Sequence, residues 1–274
     1  MSDDVLAIRG LRLVAGEDPR RILVDGVDLE VGSADRIGIV GASGSGKSLT
    51  LLAAVGLLPE TVRQIDGEVV VDGRPLAGRT SEEIRRLRGR RIALLMQGAT
   101  TSLSPTWTVG FQLEEVVRLH RGLGRREARI ATIELLRSAS VDEPEGLLRA
   151  WPHQISGGQA QRIALALALA GEPAVLLADE PTSGLDGPTA NRLLEALDHA
   201  CDVHGTALVI VSHDLAVVAR CARHVVVMLD GRVVEQGPTK QMLTDARHPY
   251  TQRLIAAFSD PGDVPAGGLR GPTP

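Results

Sequence analysis

The apolar residues of this chain fall into two patterns. Short runs dense in Val, Ile, Leu and Ala, "RIGIV" (36–40), "RIALLMQ" (91–97), "AVLLADE" (174–180), "TALVIVSH" (206–213) and "HVVVMLDGRVVEQG" (224–237), read as buried strands. In "DRIGIVGASGSGKSLTLLAAVGLL" the first run leads through a glycine-rich turn into a helix that should stop near Pro59. Alternation of strands with helices predicts an α/β fold whose central strands are parallel. "LRLVA", "VDLEV" and "GEVVVDGRPL", with their short runs and turn residues, add an antiparallel β layer in the first ninety or so residues. Between Gln97 and Ser156 the strand signals fade, and "QLEEVVRLHRGLGRREARIATIELLRSA" takes helical spacing. The closing "SDPGDVPAGGLRGPTP" is rich in Gly and Pro and is expected to be a loosely held tail.

Composition narrows the class. The chain has 274 residues, 43% hydrophobic and 23% charged, enough for one large or two modest globular domains. A formal charge of −4 gives no reason to expect a nucleic-acid partner, which a basic surplus would suggest. Cys201 and Cys221 have neither metal-site spacing nor the density of a disulfide scaffold, and read as small buried hydrophobes. "MSDDVLAIRGLRL" has no basic leader before an apolar core, and no apolar run reaches the roughly 18–20 residues of a membrane span. The chain itself is expected on the cytoplasmic side.

The strongest chemical signal is "GASGSGKS", Gly41–Ser48, which matches the phosphate-loop pattern between a strand and a helix. Its glycines let successive N–H groups face a polyphosphate, and the helix N-terminus adds favourable charge. Lys47 would reach the β- and γ-phosphates, and Ser48 would ligate Mg²⁺. Gly41, Ser43, Gly44, Ser45, Gly46, Lys47, Ser48 and Leu49 are therefore candidate nucleotide-binding residues. "AVLLADEP" ends a hydrophobic strand in Asp179, near the Mg²⁺, and Glu180, where it could polarise an attacking water. Ser156 precedes the amphipathic "QAQRIALALALA" and is a plausible helix N-cap whose neighbouring backbone donors make an anion site.

In order, these motifs resemble the ATP-binding subunits of ABC transporters over nearly the whole chain: "GASGSGKS", Gln97 after a strand, "ISGGQ", "VLLADE", "SGLD" and "IVSHD". The resemblance implies a P-loop NTPase (RecA-like) core with a parallel central sheet, an antiparallel β layer and a helical subdomain. It implies ATP and Mg²⁺ as cofactors, with Ser48, Gln97 and Asp179 at the metal. Glu180 would be the catalytic base, His213 a contact of the γ-phosphate, and Gln97 a contact of the metal and the lytic water. Ser156, Gly157, Gly158 and Gln159 would face the nucleotide held by a second, head-to-tail ATPase subunit, and Asp186 would arrange that interface. The partners implied are that subunit, identical or related, two transmembrane permeases and, indirectly, an extracytoplasmic substrate-binding protein, at the cytoplasmic face of the membrane. Residues 1–97 and 157–237 would form the ATP-binding core, 98–156 the helical subdomain, and 238–274 a C-terminal extension and tail.

"TSLSP", "WPHQISGG" and "RHPYTQRLIAA" (247–257) look like the peptide/nickel importer branch, and "LLPETVRQIDGE" most like its nickel-type members. The cargo would be a metal chelate or a small peptide. The alternative is a stand-alone ABC ATPase of cofactor assembly or regulation. About a hundred residues between the phosphate loop and "ISGGQ", without sustained heptads, exclude a chromosome-type ABC ATPase. Two departures from the family stand out. No aromatic residue precedes Trp107, so adenine would rest on aliphatic or arginine groups around Asp18–Ile22, and discrimination against GTP should be weak. Gly98 also stands where an acidic residue often follows the glutamine. Trp107, Val109 and Phe111 are candidate permease contacts.

Overall fold

The computed structural model describes residues 4–98 and 102–259. Thr101 of "TSLSP" and the Gly/Pro-rich tail from Asp260 onward lie outside the described residues. Along the chain the elements are β1 (Asp4–Ala15), β2 (Ile22–Gly32), β3 (Arg36–Gly41), α1 (Lys47–Ala54), β4 (Val62–Val71), β5 (Arg74–Pro75), α2 (Ser81–Leu87), β6 (Ile92–Leu95), α3 (Val109–Arg121), α4 (Arg125–Ser138), α5 (Pro144–Leu147), α6 (Gly157–Leu169), β7 (Val175–Asp179), α7 (Gly187–His204), β8 (Ala207–Ser212), α8 (Leu215–Cys221), β9 (His224–Leu229), β10 (Arg232–Pro238), α9 (Thr239–Thr244) and α10 (Pro249–Ser259). The chain divides into two compact units, Met1–Ile84 with Leu208–Pro274, and Arg85–Ala207.

The first unit holds two sets of strands. One is the expected antiparallel layer, in the order β2-β1-β4-β5. Its register slips where Gly10 and Gly67 take φ of 56° and 79°, and a Cβ on Gly67 would stand 2.4 Å from the Gly10 oxygen. Only glycine fits such a crossing of bulged strands. In the other set β3 lies parallel to both β8 and β9, and all six residues of β3 and of β8 are buried. Strands covered on both faces have no polar side to present, hence their unbroken apolar sequence. "HVVVMLDGRVVEQG" is not one strand but the antiparallel pair β9 and β10, because Asp230 and Gly231 both take positive φ, 47° and 80°, as a type I′ turn requires. The helix after the phosphate loop also ends earlier than expected, at Ala54, with Gly56 at φ 64° just beyond it.

Asp25 of β2 ties these strands together. Its carboxylate receives Arg12 Nε at 2.7 Å and Arg232 Nε at 2.9 Å, and its N–H donates to Gly231 O at 2.8 Å. The hydrogen bonds from Arg232, and those from Arg12 against the opposing effect of burial, hold the Asp25 carboxyl below its ordinary range.

In the second unit β6 and β7 run parallel, and α3, α4, α6 and α7 pack together. The long helical run of the sequence breaks into α3 and α4 because Gly122 takes the left-handed conformation, φ 68°, that ends α3. Cys201 and Cys221, one in each unit, are both buried, as expected of small hydrophobes.

Two histidines of the second unit make stability pH-dependent. Burial, then the nearby Arg90 and Arg85, lower the pKa of His120. Burial and then Arg121 lower that of His204, whose Nε2 is buried without a hydrogen-bond partner. With both folded values below the ordinary value of about 6.5, the unfolded chain takes up protons first on acidification. Their contribution is complete above pH about 6.5 and is lost as pH falls from there through the folded values. Thermal unfolding at pH 7.5 and 5.5 should show a lower midpoint at pH 5.5, and His120→Gln with His204→Gln should shrink that difference. A difference untouched by the double variant would refute the assignment.

Candidate functional site

The phosphate loop is built by steric necessity. β3 delivers the chain to Gly41, where a Cβ would stand 2.1 Å from Met228 O and 2.8 Å from Ser45 Oγ. Gly44 and Gly46 take φ of 81° and 95°, and a Cβ on Gly46 would also meet Val24 Cγ2 at 2.9 Å. The loop is thus held between β2 and β9, leaving no room for a side chain at either end. Gly46 caps α1 without any side-chain acceptor, so the first-turn N–H groups have no capping side chain. Ser43, Gly44 and Ser48 are exposed, Leu49 is half-buried, and Ser45 is buried. Lys47 is only 5% exposed, and its Nζ donates to Gly41 O at 2.8 Å, Ala42 O at 2.9 Å and Ser45 Oγ at 3.4 Å.

His213 emerges at the same end of the same strands. β3 and β8 are parallel with Val40 opposite Ser212, so the exposed His213 leaves β8 beside Gly41. Asp214 then caps α8 by accepting from Ala216 N at 2.8 Å. Asp18–Ile22, running from the β1–β2 turn into the first residue of β2, presents Arg20, Arg21 and Ile22 to solvent, and Asp18 Oδ1 accepts from Arg20 N at 3.0 Å.

The second unit gathers the other candidates. Leu95 and Ala178 are opposite partners on β6 and β7, so Gln97, Asp179 and Glu180 all follow the same strand ends. Asp179 is buried and Glu180 half-buried, with Glu180 at φ 45°, a conformation rare for a residue with a side chain. Gln97 Nε2 donates to Ser183 Oγ at 2.8 Å, joining the strand-end glutamine to the loop after Glu180. Gln161 Nε2 donates to Pro181 O in that same loop. No local sequence signal marks either bond, since the partners are 86 and 20 residues apart.

Ser156 is the N-cap of α6. Its Oγ accepts from Gln159 N at 3.2 Å, and Gln159 Oε1 accepts from Ser156 N at 2.9 Å, a capping box. The two following glycines differ. A Cβ on Gly158 would stand 2.7 Å from Thr189 Cγ2 of α7, whereas one on Gly157 would meet nothing within 4 Å. Asp186 caps α7, accepting from Thr189 N at 3.0 Å and from Thr189 Oγ1 at 2.8 Å. Those two bonds hold the Asp186 carboxyl below its ordinary value. Thr189 therefore links the helix that Ser156 opens to the helix that Asp186 opens. An Asp directly before a helix with proline in its first turn, as in Asp186-Gly187-Pro188, is an N-cap pattern legible in the sequence.

Of the three candidate permease contacts, Val109 is fully buried, pinned by its N–H to Ala150 O at 2.9 Å, and is withdrawn. Trp107 and Phe111 are both more than two-fifths exposed and stack edge to face with centroids 4.1 Å apart.

Comparison with known proteins identifies the family. The profile of the ABC transporter family matches residues 24–183. The "Probable peptide ABC transporter ATP-binding protein y4tR" of Sinorhizobium fredii is 40% identical over 94% of this chain and 78% of its own length. The dipeptide transport ATP-binding protein DppD of Escherichia coli is 38% identical over 86% of this chain and 72% of its own. Among solved structures, the dimeric post-hydrolysis state of the ATP-binding cassette MJ0796, bound to ADP and Pi, superposes with a TM-score of 0.74 at 27% identity. That match covers 85% of this chain and 98% of that one.

Proposed function

The chain belongs to the ABC transporter family of ATP-binding proteins, and from that premise we propose that it is the ATP-hydrolysing subunit of an importer of small peptides. The observation that carries the reading is the loop Gly41–Ser48, in which a buried lysine rests on carbonyl oxygens beside a helix terminus with no side-chain cap. Such a cradle fits an anionic phosphate chain. ATP and Mg²⁺ are the cofactors. Ser48, Gln97 and Asp179 are the residues that would hold the metal, which when bound neutralises charge on the phosphates.

In this proposal Lys47 and the loop N–H groups hold the phosphates. Glu180 accepts a proton from the attacking water, Gln97 orients that water, and His213 donates to the γ-phosphate. Ser156, Gly157, Gly158 and Gln159 face the nucleotide of a second cassette, and Asp186 shapes the shared interface. Residues 1–97 and 157–237 act as the ATP-binding core, 98–156 as the helical subdomain with Trp107 and Phe111 toward the permeases, and 238–274 as the extension. Among the described residues no helix is long and apolar enough to cross a membrane. The proposed location is therefore peripheral, at the cytoplasmic face, with two permeases and indirectly a binding protein. Relatives named for peptides and dipeptides favour a peptide cargo over nickel or a metal chelate.

Affinity purification of the tagged chain from detergent-solubilised membranes tests this reading. It should recover two membrane-spanning permeases and an ATPase stimulated by peptide with its binding protein. Active ATPase that never associates with permeases would favour the stand-alone alternative. The exposed arginines and Ile22 around the expected base position make no pattern of donors and acceptors specific to adenine. GTP should compete with ATP within about tenfold, the discrimination of one ordinary hydrogen bond. A hundredfold preference for ATP in the same competition assay would contradict that.

A further inference from the structure

The C-terminal segment reaches back to the phosphate loop. Glu235 of β10 accepts from Arg247 N at 2.7 Å and from His248 N at 3.0 Å, and His248 Nδ1 accepts from Tyr250 N at 3.2 Å. These three bonds fix the start of α10 against β10 and turn Tyr250 inward. Its side chain is 1% exposed and is the largest fully buried one described. The hydroxyl is buried with no hydrogen-bond partner, and the N–H of Ala42, the second residue of the phosphate loop, is a donor close enough to act on it electrostatically.

Ala42 is the pivot of that loop. Its carbonyl accepts from Lys47 Nζ at 2.9 Å and from Ser45 N at 3.2 Å, while its N–H acts on the Tyr250 hydroxyl. Gly41, just before it, lies so close to Met228 O that a Cβ would stand 2.1 Å from it. A phenylalanine would fill the Tyr250 cavity equally well without burying a polar atom short of a partner. The hydroxyl has a use if the loop has a second arrangement, in which Lys47 leaves the Gly41 and Ala42 carbonyls for a phosphate and the freed Ala42 peptide settles onto the tyrosine oxygen.

We propose that Tyr250 is a positioning residue of the phosphate loop, its hydroxyl bonding Ala42 N–H when a nucleoside di- or triphosphate is bound. The C-terminal helix α10 thereby becomes part of the nucleotide-binding apparatus. Burial pushes the Tyr250 hydroxyl above its usual range, so it stays neutral and accepts through an oxygen lone pair. The inference rests on reading Gly41–Ser48 as the nucleotide loop.

Tyr250 is the only tyrosine in the chain, so uniform 3-fluorotyrosine labelling puts a single ¹⁹F resonance at this residue. The labelled full chain is titrated with Mg²⁺–ADP and, separately, with adenosine, which carries no phosphate. The resonance should shift with ADP and not with adenosine. Tyr250→Phe, which keeps the volume, should weaken ADP binding measured by calorimetry about three- to tenfold, the scale of one hydrogen bond, while leaving the nucleotide-free melting temperature no lower. A resonance unmoved by saturating ADP, together with wild-type affinity in Tyr250→Phe, overturns the positioning role and leaves the loop assignment standing. Failure of the unlabelled wild type to bind ADP overturns the loop assignment, and this inference with it.

Discussion

Glu180→Gln should slow phosphate release by about 10²–10⁴-fold, the range lost with a general base, while leaving ATP binding intact. The amide keeps the shape of the carboxylate but cannot take the proton of the attacking water. Glu180 follows the buried strand β7 at φ 45°, a backbone state that costs about 1–3 kcal/mol for a residue with a side chain. A plain turn out of a strand would be satisfied more cheaply by glycine. Glu180→Gly is the matching control, since it relieves the strain and should raise thermal stability while slowing turnover by a similar factor. Single-turnover phosphate release and gel filtration with Mg²⁺–ATP give the readout, with Glu180→Gln expected to accumulate as an ATP-bound dimer. Turnover within threefold of wild type would remove Glu180 from the mechanism.

Ser156→Arg should leave ATP binding by its own chain unchanged and block hydrolysis on the phosphate loop of the partnering cassette. The warrant lies in the two glycines after Ser156. Gly158 is explained within the chain by Thr189 Cγ2, but a side chain on Gly157 would meet nothing within 4 Å. A glycine with open space beside a helix N-terminus suits close approach by something outside the chain. An arginine at 156 would occupy that space. It would also remove the cap on Gln159 N, worth about 1 kcal/mol, so Ser156→Ala serves as the comparison, losing the cap but not the space. In assemblies mixing mutant and wild-type cassettes, only the arginine variant should silence the opposite site. Equal loss in the alanine variant would reduce the effect to helix stability, and equal hydrolysis by the arginine variant and wild type would sink the shared-site proposal.

Much of the first unit could be read from the sequence because its signals are local. A strand, a glycine-rich turn and a helix start occupy consecutive residues, and φ values of 81° and 95° at Gly44 and Gly46 are ones glycine adopts without steric cost. The Ser156 cap and the buried β8 were legible for the same reason. The errors have equally specific causes. Asp230–Gly231 is a hairpin signal inside an apolar run, and reading the run as one strand ignored that positive φ at both residues reverses the chain. Val109 was grouped with Trp107 and Phe111 by proximity, yet Val109 and Phe111 stand two positions apart at the start of α3 and face different directions, and of the three Val109 alone turns into the core.

By itself, then, the sequence determined the order of the motifs, the phosphate loop, the α/β alternation and the helix cap at Ser156. Each is set by sterics or hydrogen bonds within a few residues. Only the tertiary structure decided that Gln97 bonds Ser183, that Gly158 must clear Thr189, and that the buried Tyr250 hydroxyl comes within reach of the Ala42 N–H. Those pairs stand dozens to hundreds of residues apart, and which atoms meet depends on strand register and helix packing that no local pattern encodes.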